Sequence, residues 1–373
     1  MTSHPATIAK HHFGLLDGLR GVAAVAVVIF HFMELIRPDY KDSFIAHAYL
    51  AVDFFFCLSG FVIAYAYDSR IKEIGFMAFL KLRFIRLHPL VIIGSVIGLL
   101  SFTIDPFSNL YQKYSADLPT MFAASSLMIP YPLVHERYFN LFHLNPPSWS
   151  LFWEYIANIF YGLFLFKIAD KHLWILVIIA AGAIFYEANT SGNLAVGWGG
   201  DNVRGGGIRI LYSFLAGILL YRSKWLIRSK ITFPLITLML LAVFLIPYID
   251  LLNPFLEPVI VILYFPFLIA VGAGSYSLRT KSNQEPEQPP YAATGKWERL
   301  SAFSGEISYP LYMIHYPFIW IFMSYVEASK PSLSEMVVIM LLSTTVIIGF
   351  AYVVLTYIDK PIRRWLRRSF INA

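Results

Sequence analysis

The sequence predicts an all-α protein that crosses a membrane many times, and three observations support this fold class. Of its 373 residues, 58% are hydrophobic and only 14% are charged, whereas about a quarter of a soluble domain is charged. Several apolar runs approach the length of about twenty residues that crosses the hydrocarbon layer as a helix. The basic residues cluster between these runs, as in the cytoplasmic loops of membrane proteins. The net charge of +6 therefore reflects a lipid bilayer and not a nucleic acid as the partner.

Ten spans are predicted from the apolar runs, with both chain ends in the cytoplasm. The segments 68–86, 222–230 and 275–302 are rich in Lys and Arg and fall on the cytoplasmic side in this arrangement. The segment 119–130 has Pro at both ends and is too short to span, so it is predicted to be re-entrant or interfacial. The predicted spans are 16–35, 47–66, 87–104, 148–166, 172–187, 208–221, 231–249, 257–274, 303–325 and 333–357.

Residues 1–373 are expected to form a single membrane domain without an appended soluble domain. The polar, proline-rich segment at about 278–300 is predicted to be a flexible cytoplasmic linker. The glycine-rich run 197-GWGGDNVRGGG-207 follows no predicted strand and lacks Gly-Lys-Ser/Thr, which argues against a nucleotide-binding loop. Cys57 is the one cysteine, so it forms no disulfide within the chain and is interpreted as a small packed hydrophobe.

Two ionisable side chains lie inside the first predicted span, 15-LLDGLRGVAAVAVVIFHFMEL-35. Arg20 and His31 are eleven residues apart, which places them on one stripe of a helix and about 16 Å apart along its axis. Asp17 precedes Arg20 by three residues and is placed to pair with it. Ionisable groups are expensive in a membrane, which makes both functional candidates. The alternative is that the Arg reaches the headgroups and the His bonds a neighbouring carbonyl.

Depth along the helices is predicted to bring His31, Asp53 and Glu154 into one layer near the outer surface. Asp53 and Glu154 each lie six residues into a predicted span, about 9 Å below that surface. A His with a carboxylate partner is the usual arrangement of a general base. We therefore predict that Asp53 lies within hydrogen-bonding reach of His31, or one water away.

Two more polar groups are candidates for binding. In 79-FLKLRFIRLHP-89, Arg83 and Arg86 stand at i and i+3, a spacing that suits phosphate groups as well as ordinary cytoplasmic anchoring. In the ninth predicted span, Ser308 and His315 lie on one helix face, near the middle of the membrane for His315.

Six motifs spread over nearly the whole chain occur in an order found in one protein family. They are 16-LDGLRGVAAVAVVIFHF-32, 52-VDFFFCLSGFVIAY-65, 81-KLRFIRLHP-89, 147-PSWSLFWEYIANIFYGL-163, 209-RILYSFLAGILL-220 and 305-GEISYPLYMIHYP-317. With these motifs the sequence resembles the acyltransferase family 3 membrane proteins, which O-acylate bacterial surface glycans. It departs from the family pattern in having one acid, Glu154, where members often have two, and His88 where they often have Tyr.

The resemblance implies a ten-span fold in the bacterial inner membrane and an acyl-CoA donor, usually acetyl-CoA, presented from the cytoplasm. It implies a hydroxyl acceptor on a lipid-linked or surface carbohydrate, no metal, and a homo-oligomer or glycan-synthesis proteins as further partners. The site residues that it implies are His31, Asp53 and Glu154 for catalysis, and Arg20, Arg83, Arg86, Tyr309 and His315 for binding the donor or substrate.

The sequence leaves several functions open. The acyl group passes either directly to the acceptor or through an acylated His31, and it is acetyl, succinyl or another acyl group. The acceptor is a glycan or another molecule such as an antibiotic or a lipid. A proton-coupled carrier with an intramembrane relay is an alternative from another class. A third possibility is a lipid- or partner-binding scaffold within a glycan-synthesis complex, although such a scaffold needs no buried stripe of ionisable residues like Arg20 and His31.

Overall fold

The computed structural model describes residues 13–282 and 295–370, so the predicted linker at about 278–300 falls largely outside the described residues. Within the described ranges the chain forms helices and no β-strand, which confirms the all-α prediction. The helices are α1 (Gly14–Ile36), α2 (Ala51–Tyr67), α3 (Ile71–Ile104), α4 (Leu110–Tyr114), α5 (Leu118–Ser126), α6 (Ser148–Leu163), α7 (Asp170–Ser191), α8 (Val203–Arg222), α9 (Phe233–Phe244), α10 (Asn253–Val259), α11 (Phe265–Ser282), α12 (Lys296–Ile314), α13 (Tyr316–Ser329), α14 (Leu333–Val353) and α15 (Lys360–Phe370).

Seven helical segments in the described part of the chain are long and apolar enough to cross a membrane. They are Gly14–Ile36, Ala46–Tyr67, Ile71–Ile104, Asp170–Ser191, Val203–Arg222, Asn253–Ser275 and Leu333–Phe370. Three predicted spans correspond to shorter or broken helices: α6, α9, and the pair α12 and α13, which meet at His315. A membrane protein is therefore supported, and the count of ten spans stays a prediction.

The segment predicted to be re-entrant or interfacial contains the nine-residue helix α5. Its first turn holds Pro119, which lacks the amide proton that a helix start leaves unbonded. Met121 and Ser125 are buried against α3, and the hydroxyls of Ser125 and Ser95 lie 2.8 Å apart. The segment is thus too short to span, as predicted, and covers α3.

Two helix pairs, α1 with α12 and α2 with α8, pack closely along their lengths. Both contacts depend on glycine, because a Cβ on Gly21 would lie 2.1 Å from the carbonyl oxygen of Ser304. A Cβ on Gly217 would lie 2.0 Å from the carbonyl oxygen of Cys57, which is itself buried as predicted. Small residues that let backbones approach are typical of helix packing in membranes. These contacts fix the positions of the polar residues on α1, α2 and α8.

The loop that precedes α6 pairs with the loop that precedes α8. The amide of Leu141 donates to the carbonyl of Trp198 at 2.9 Å, and the amide of Gly200 donates to Phe139 at 3.0 Å. This pairing joins the loop 127–147 to the loop 192–202 and holds Trp198 beside Leu141.

Candidate active site

Two cavities lie among the helices, and they meet at Val52 and Tyr312, which line both. The first, of about 360 Å³, is lined by six cationic side chains and is called the cationic cavity. The second, of about 330 Å³, contains His31 and eight Tyr or Trp side chains and is called the aromatic cavity. The six cations are Arg20, Arg83, Arg86, Lys360, Arg363 and Arg367. The eight rings are Tyr40, Tyr49, Tyr138, Trp149, Trp198, Tyr312, Tyr316 and Trp320.

His31 lines the aromatic cavity and is oriented by a carboxylate on its own helix. Its Nδ1 donates to Oε2 of Glu34 at 2.6 Å, and the other oxygen of Glu34 accepts a bond of 2.9 Å from the hydroxyl of Tyr40. A proton on Nδ1 leaves Nε2 of the neutral ring as an acceptor. His31 and Glu34 therefore have the arrangement of a general base and the carboxylate that holds it.

Asp53 makes no hydrogen bond with His31, so the predicted direct pair is wrong, while the catalytic role of Asp53 stays a prediction. Both of its oxygens accept hydrogen bonds from the guanidinium of Arg209, the shortest being 2.6 Å from Nη2. Both side chains are buried, at 0% and 1% exposure. A guanidinium satisfies two carboxylate oxygens at once, and an unpaired buried carboxylate is strongly unfavourable, so Asp53 faces α8 instead of α1.

Arg209 was not among the predicted site residues, although it lines the aromatic cavity. Its Nη1 donates to the carbonyl of Val196 and its Nη2 to that of Tyr49, both at 2.9 Å, and its guanidinium lies 5.4 Å from the ring centre of Trp149. The signal in the sequence was an Arg inside an apolar run, which requires a buried carboxylate somewhere else in the chain.

Glu154 lies in the cationic cavity and not in the layer of His31, which corrects the predicted depth. Its Oε1 accepts bonds of 2.8 Å from Arg83 and from the hydroxyl of Ser59. The prediction assumed that its span starts at the outer surface. Instead, α6 starts deep in the protein, where Ser148 is fully buried and Trp149 already lines the aromatic cavity. Six further residues along the helix therefore reach the cationic cavity.

Arg20 lines the cationic cavity and is held by α12. Its Nε donates to the hydroxyl of Ser308 at 2.8 Å and its Nη2 to the carbonyl of Gly305 at 3.0 Å. The predicted pair with Asp17 is confirmed, with Nη1 and Oδ1 3.3 Å apart. Arg20 and His31, on one stripe of α1, thus open onto the two different cavities.

Arg83, Arg86 and Tyr309 also line the cationic cavity. Arg83 is buried and paired with Glu154, whereas Arg86 is exposed. The hydroxyl of Tyr309 donates to the carbonyl of Leu87 at 2.6 Å and so joins α12 to α3. Together with Arg20, these residues bring to four the predicted binding residues that line the cationic cavity.

His315 lies behind His31 and lines neither of the two cavities. The two imidazole rings are stacked with centroids 5.5 Å apart, and Nδ1 of His315 donates to the carbonyl of Tyr312 at 2.8 Å. The ring is fully buried and contacts His31, and the predicted role of His315 in binding donor or substrate stays a prediction.

Arg137, in the loop before α6, supports a wall of the aromatic cavity. Its guanidinium lies 4.8 Å from the ring centre of Trp320 and 4.6 Å from that of Phe102. Burial lowers the pKa of Arg137 to about 9. Trp320 lines the cavity and donates from Nε1 to the carbonyl of His143 at 2.9 Å. The loop is therefore a structural part of the cavity.

The site can bind anions at one end and orient a base at the other. Within the described ranges, no group of three or more His, Cys, Asp or Glu side chains is placed to hold a metal ion. The polar residues form separate clusters, one cationic and one around His31. Such a division suits a reaction in which a charged donor and an acceptor enter from different directions.

Comparisons with known proteins identify the family of the chain. The acyltransferase 3 family, described as an acyltransferase domain, matches residues 13–356. A protein of Rhizobium radiobacter named "Protein 2 in picA locus" is 33% identical over 188 residues, which cover 47% of this chain and 94% of that protein. No solved structure matches the chain. Because the match extends over most of its length, the chain belongs to the acyltransferase 3 family.

Proposed function

We propose that the protein transfers an acyl group, in the simplest case acetyl, from cytoplasmic acyl-CoA to a hydroxyl of a lipid-linked or surface carbohydrate. It would do so in the inner membrane of a bacterium. The observation that carries the proposal is the meeting of the two cavities at Val52 and Tyr312, one cationic and one containing the His31–Glu34 pair. An acyltransferase needs a donor site, an acceptor site and a base between them.

The cationic cavity suits the phosphate groups of the donor, because guanidinium groups bind phosphate oxygens through charge-assisted hydrogen bonds. Arg86 is exposed, whereas Arg20 is partly buried. The two ends of the stripe on α1, Arg20 and His31, are about 16 Å apart by the rise of a helix. An extended pantetheine arm spans a similar distance, so the thioester would reach the aromatic cavity past Val52 and Tyr312.

In the proposed reaction, Nε2 of His31 removes the proton of the acceptor hydroxyl as its oxygen attacks the thioester carbonyl carbon. The C–O bond forms, the C–S bond breaks, and the proton passes from His31 to the leaving thiolate. Glu34 keeps Nδ1 protonated and stabilises the imidazolium that forms in between.

The aromatic cavity suits a sugar as the acceptor. Its Tyr and Trp rings offer flat apolar surfaces, while Glu34, Asn140 and Arg209 supply polar groups for hydroxyls. An apolar pocket with a few polar groups binds such an amphipathic ring and fixes its orientation.

Mass spectrometry of the surface glycans tests the proposal in cells with the gene deleted, restored, or restored as His31→Ala. We expect a mass difference of one acyl group between the restored and the deleted strain, and none for His31→Ala. The control His172→Ala changes an exposed histidine on α7 and is expected to restore the acyl group. Near-normal acylation by His31→Ala, present in the membrane at wild-type amounts, would rule out His31 as the base.

A further inference from the structure

The last helix, α15, contributes a wall to the cationic cavity. The family match ends at residue 356, so α15 lies beyond the matched segment. It packs against α3, and three of its residues, Lys360, Arg363 and Arg367, line the cavity beside Arg86. Their spacing of i, i+3 and i+7 places them on one helix face.

The opposite face of α15 is apolar and exposed. Trp365, which lies on that face, is 62% exposed. α15 continues α14 without a break in the helical segment Leu333–Phe370, so it prolongs a segment that is long and apolar enough to cross a membrane. The basic side chains of Lys360, Arg363 and Arg367 line the cationic cavity on the other side of the helix.

The charges in the cavity are unevenly neutralised. Four of its six cations have a carboxylate partner: Arg20 with Asp17, Arg83 with Glu154, Lys360 with Glu306, and Arg363 with Asp359. Within the ranges that the structure describes, Arg86 and Arg367 make no ion pair. These two guanidinium groups, from α3 and α15, both line the cavity. The unpaired Arg86 and Arg367 therefore give the cavity an excess of positive charge that favours the binding of an anion.

We propose that Arg367 of α15, together with Arg86, binds phosphate groups of the donor, so that α15 forms part of the donor site. The inference rests on the proposed function, because it takes a phosphate-bearing thioester as the donor. A lipid headgroup presents the same phosphate chemistry to α15. Arg367 is exposed and makes no ion pair in the described part of the chain, so its charge is available to a ligand without breaking an internal contact.

The test compares Arg367→Gln with Arg368→Gln in the full-length protein, reconstituted in nanodiscs of neutral phosphatidylcholine. Both variants remove one positive charge from α15, but Arg368 does not line the cavity. Isothermal titration with CoA is expected to show an affinity about tenfold weaker for Arg367→Gln, the effect of losing one charge-assisted hydrogen bond. Arg368→Gln is expected to bind CoA within about twofold of the wild type. Pantetheine, which lacks phosphate, should bind both variants and the wild type equally.

Each other outcome overturns the inference in a recognisable way. Equal CoA affinity for Arg367→Gln and the wild type rules out the donor site on α15. If α15 binds headgroups instead, the variant differs from the wild type only in nanodiscs that contain anionic phosphatidylglycerol. Equal weakening by Arg367→Gln and Arg368→Gln indicates a general effect of charge. If the wild-type protein itself binds no CoA, the donor assignment of the proposed function fails as well.

Discussion

The imidazole of His31 is oriented by a carboxylate three residues further along the same helix. The spacing of i and i+3 predicts the pair Asp17–Arg20 and equally the pair His31–Glu34. Both pairs lie in the segment 15–35 of α1. Depth along the helices instead predicts a partner on another helix, Asp53. Local spacing was the better guide here, because it does not depend on how helices pack.

Removing the carboxylate of Glu34 is expected to slow transfer without unfolding the protein. Glu34→Gln keeps the size of the side chain but loses the charge that stabilises the imidazolium of His31. We expect a fall in kcat smaller than the factor of about 10²–10⁴ that a general base contributes, with the KM for the donor unchanged. Kinetics in detergent with Glu73→Gln, an exposed acid on α3, as the control would check this. An unchanged kcat would contradict the assigned role of Glu34.

The buried pair Asp53–Arg209 is expected to matter for folding. Asp53→Asn leaves the guanidinium of Arg209 buried without a counter-charge, which lowers the free energy of unfolding by about 3–5 kcal/mol. The double variant Asp53→Asn, Arg209→Gln removes both charges and should regain most of that stability. Thermal unfolding in detergent measures both. If Asp53→Asn melts like the wild type and yet transfers no acyl group, then Asp53 acts in the chemistry after all.

Among the helices, α6 shows what hydropathy can and cannot predict. Its position in the sequence was predicted closely, at 148–166 against the observed Ser148–Leu163. The depth of α6 in the protein was not predicted correctly, because the preceding loop leads the chain into the protein before the helix starts. A loop that enters the protein in this way carries buried polar residues such as Asn145, which are not apolar enough to register as part of a span. Because of this error in depth, Glu154 is predicted in the layer of His31, whereas it lies in the cationic cavity.

The contact between α2 and α8 is expected to fail when a methyl group is added at its centre. In Gly217→Ala the new Cβ would lie 2.0 Å from the carbonyl oxygen of Cys57, so the helices must separate. Overpacking of this kind lowers the free energy of unfolding by about 1–3 kcal/mol. The matched control is Gly182→Ala on α7, where no atom lies within 4 Å of the added Cβ. Thermal unfolding should rank Gly217→Ala well below Gly182→Ala, and equal stability would contradict the observed packing.

For the whole molecule, composition and motif order predicted the fold class and the family, whereas the arrangement of the site needed the structure. Arg20, Arg83, Arg86 and Tyr309 could be assigned together from the motifs and do share one cavity. The pair Asp53–Arg209 could not be predicted from the motifs, because it joins residues 156 positions apart through the packing of α2 against α8. The division into two cavities could not be predicted from the sequence either, since it depends on how the helices that carry Val52 and Tyr312 pack.

Membrane vesicles of known orientation test most directly whether the two cavities carry an acyl group across the membrane. Acetyl-CoA labelled in its acetyl group does not cross the bilayer, so it reaches only the face exposed outside the vesicle. We expect inside-out vesicles to incorporate the label into their glycans, right-side-out vesicles to incorporate none, and inside-out vesicles with His31→Ala to incorporate none. Equal labelling of both orientations, or labelling by the His31→Ala vesicles, would contradict the proposed path from the cationic to the aromatic cavity.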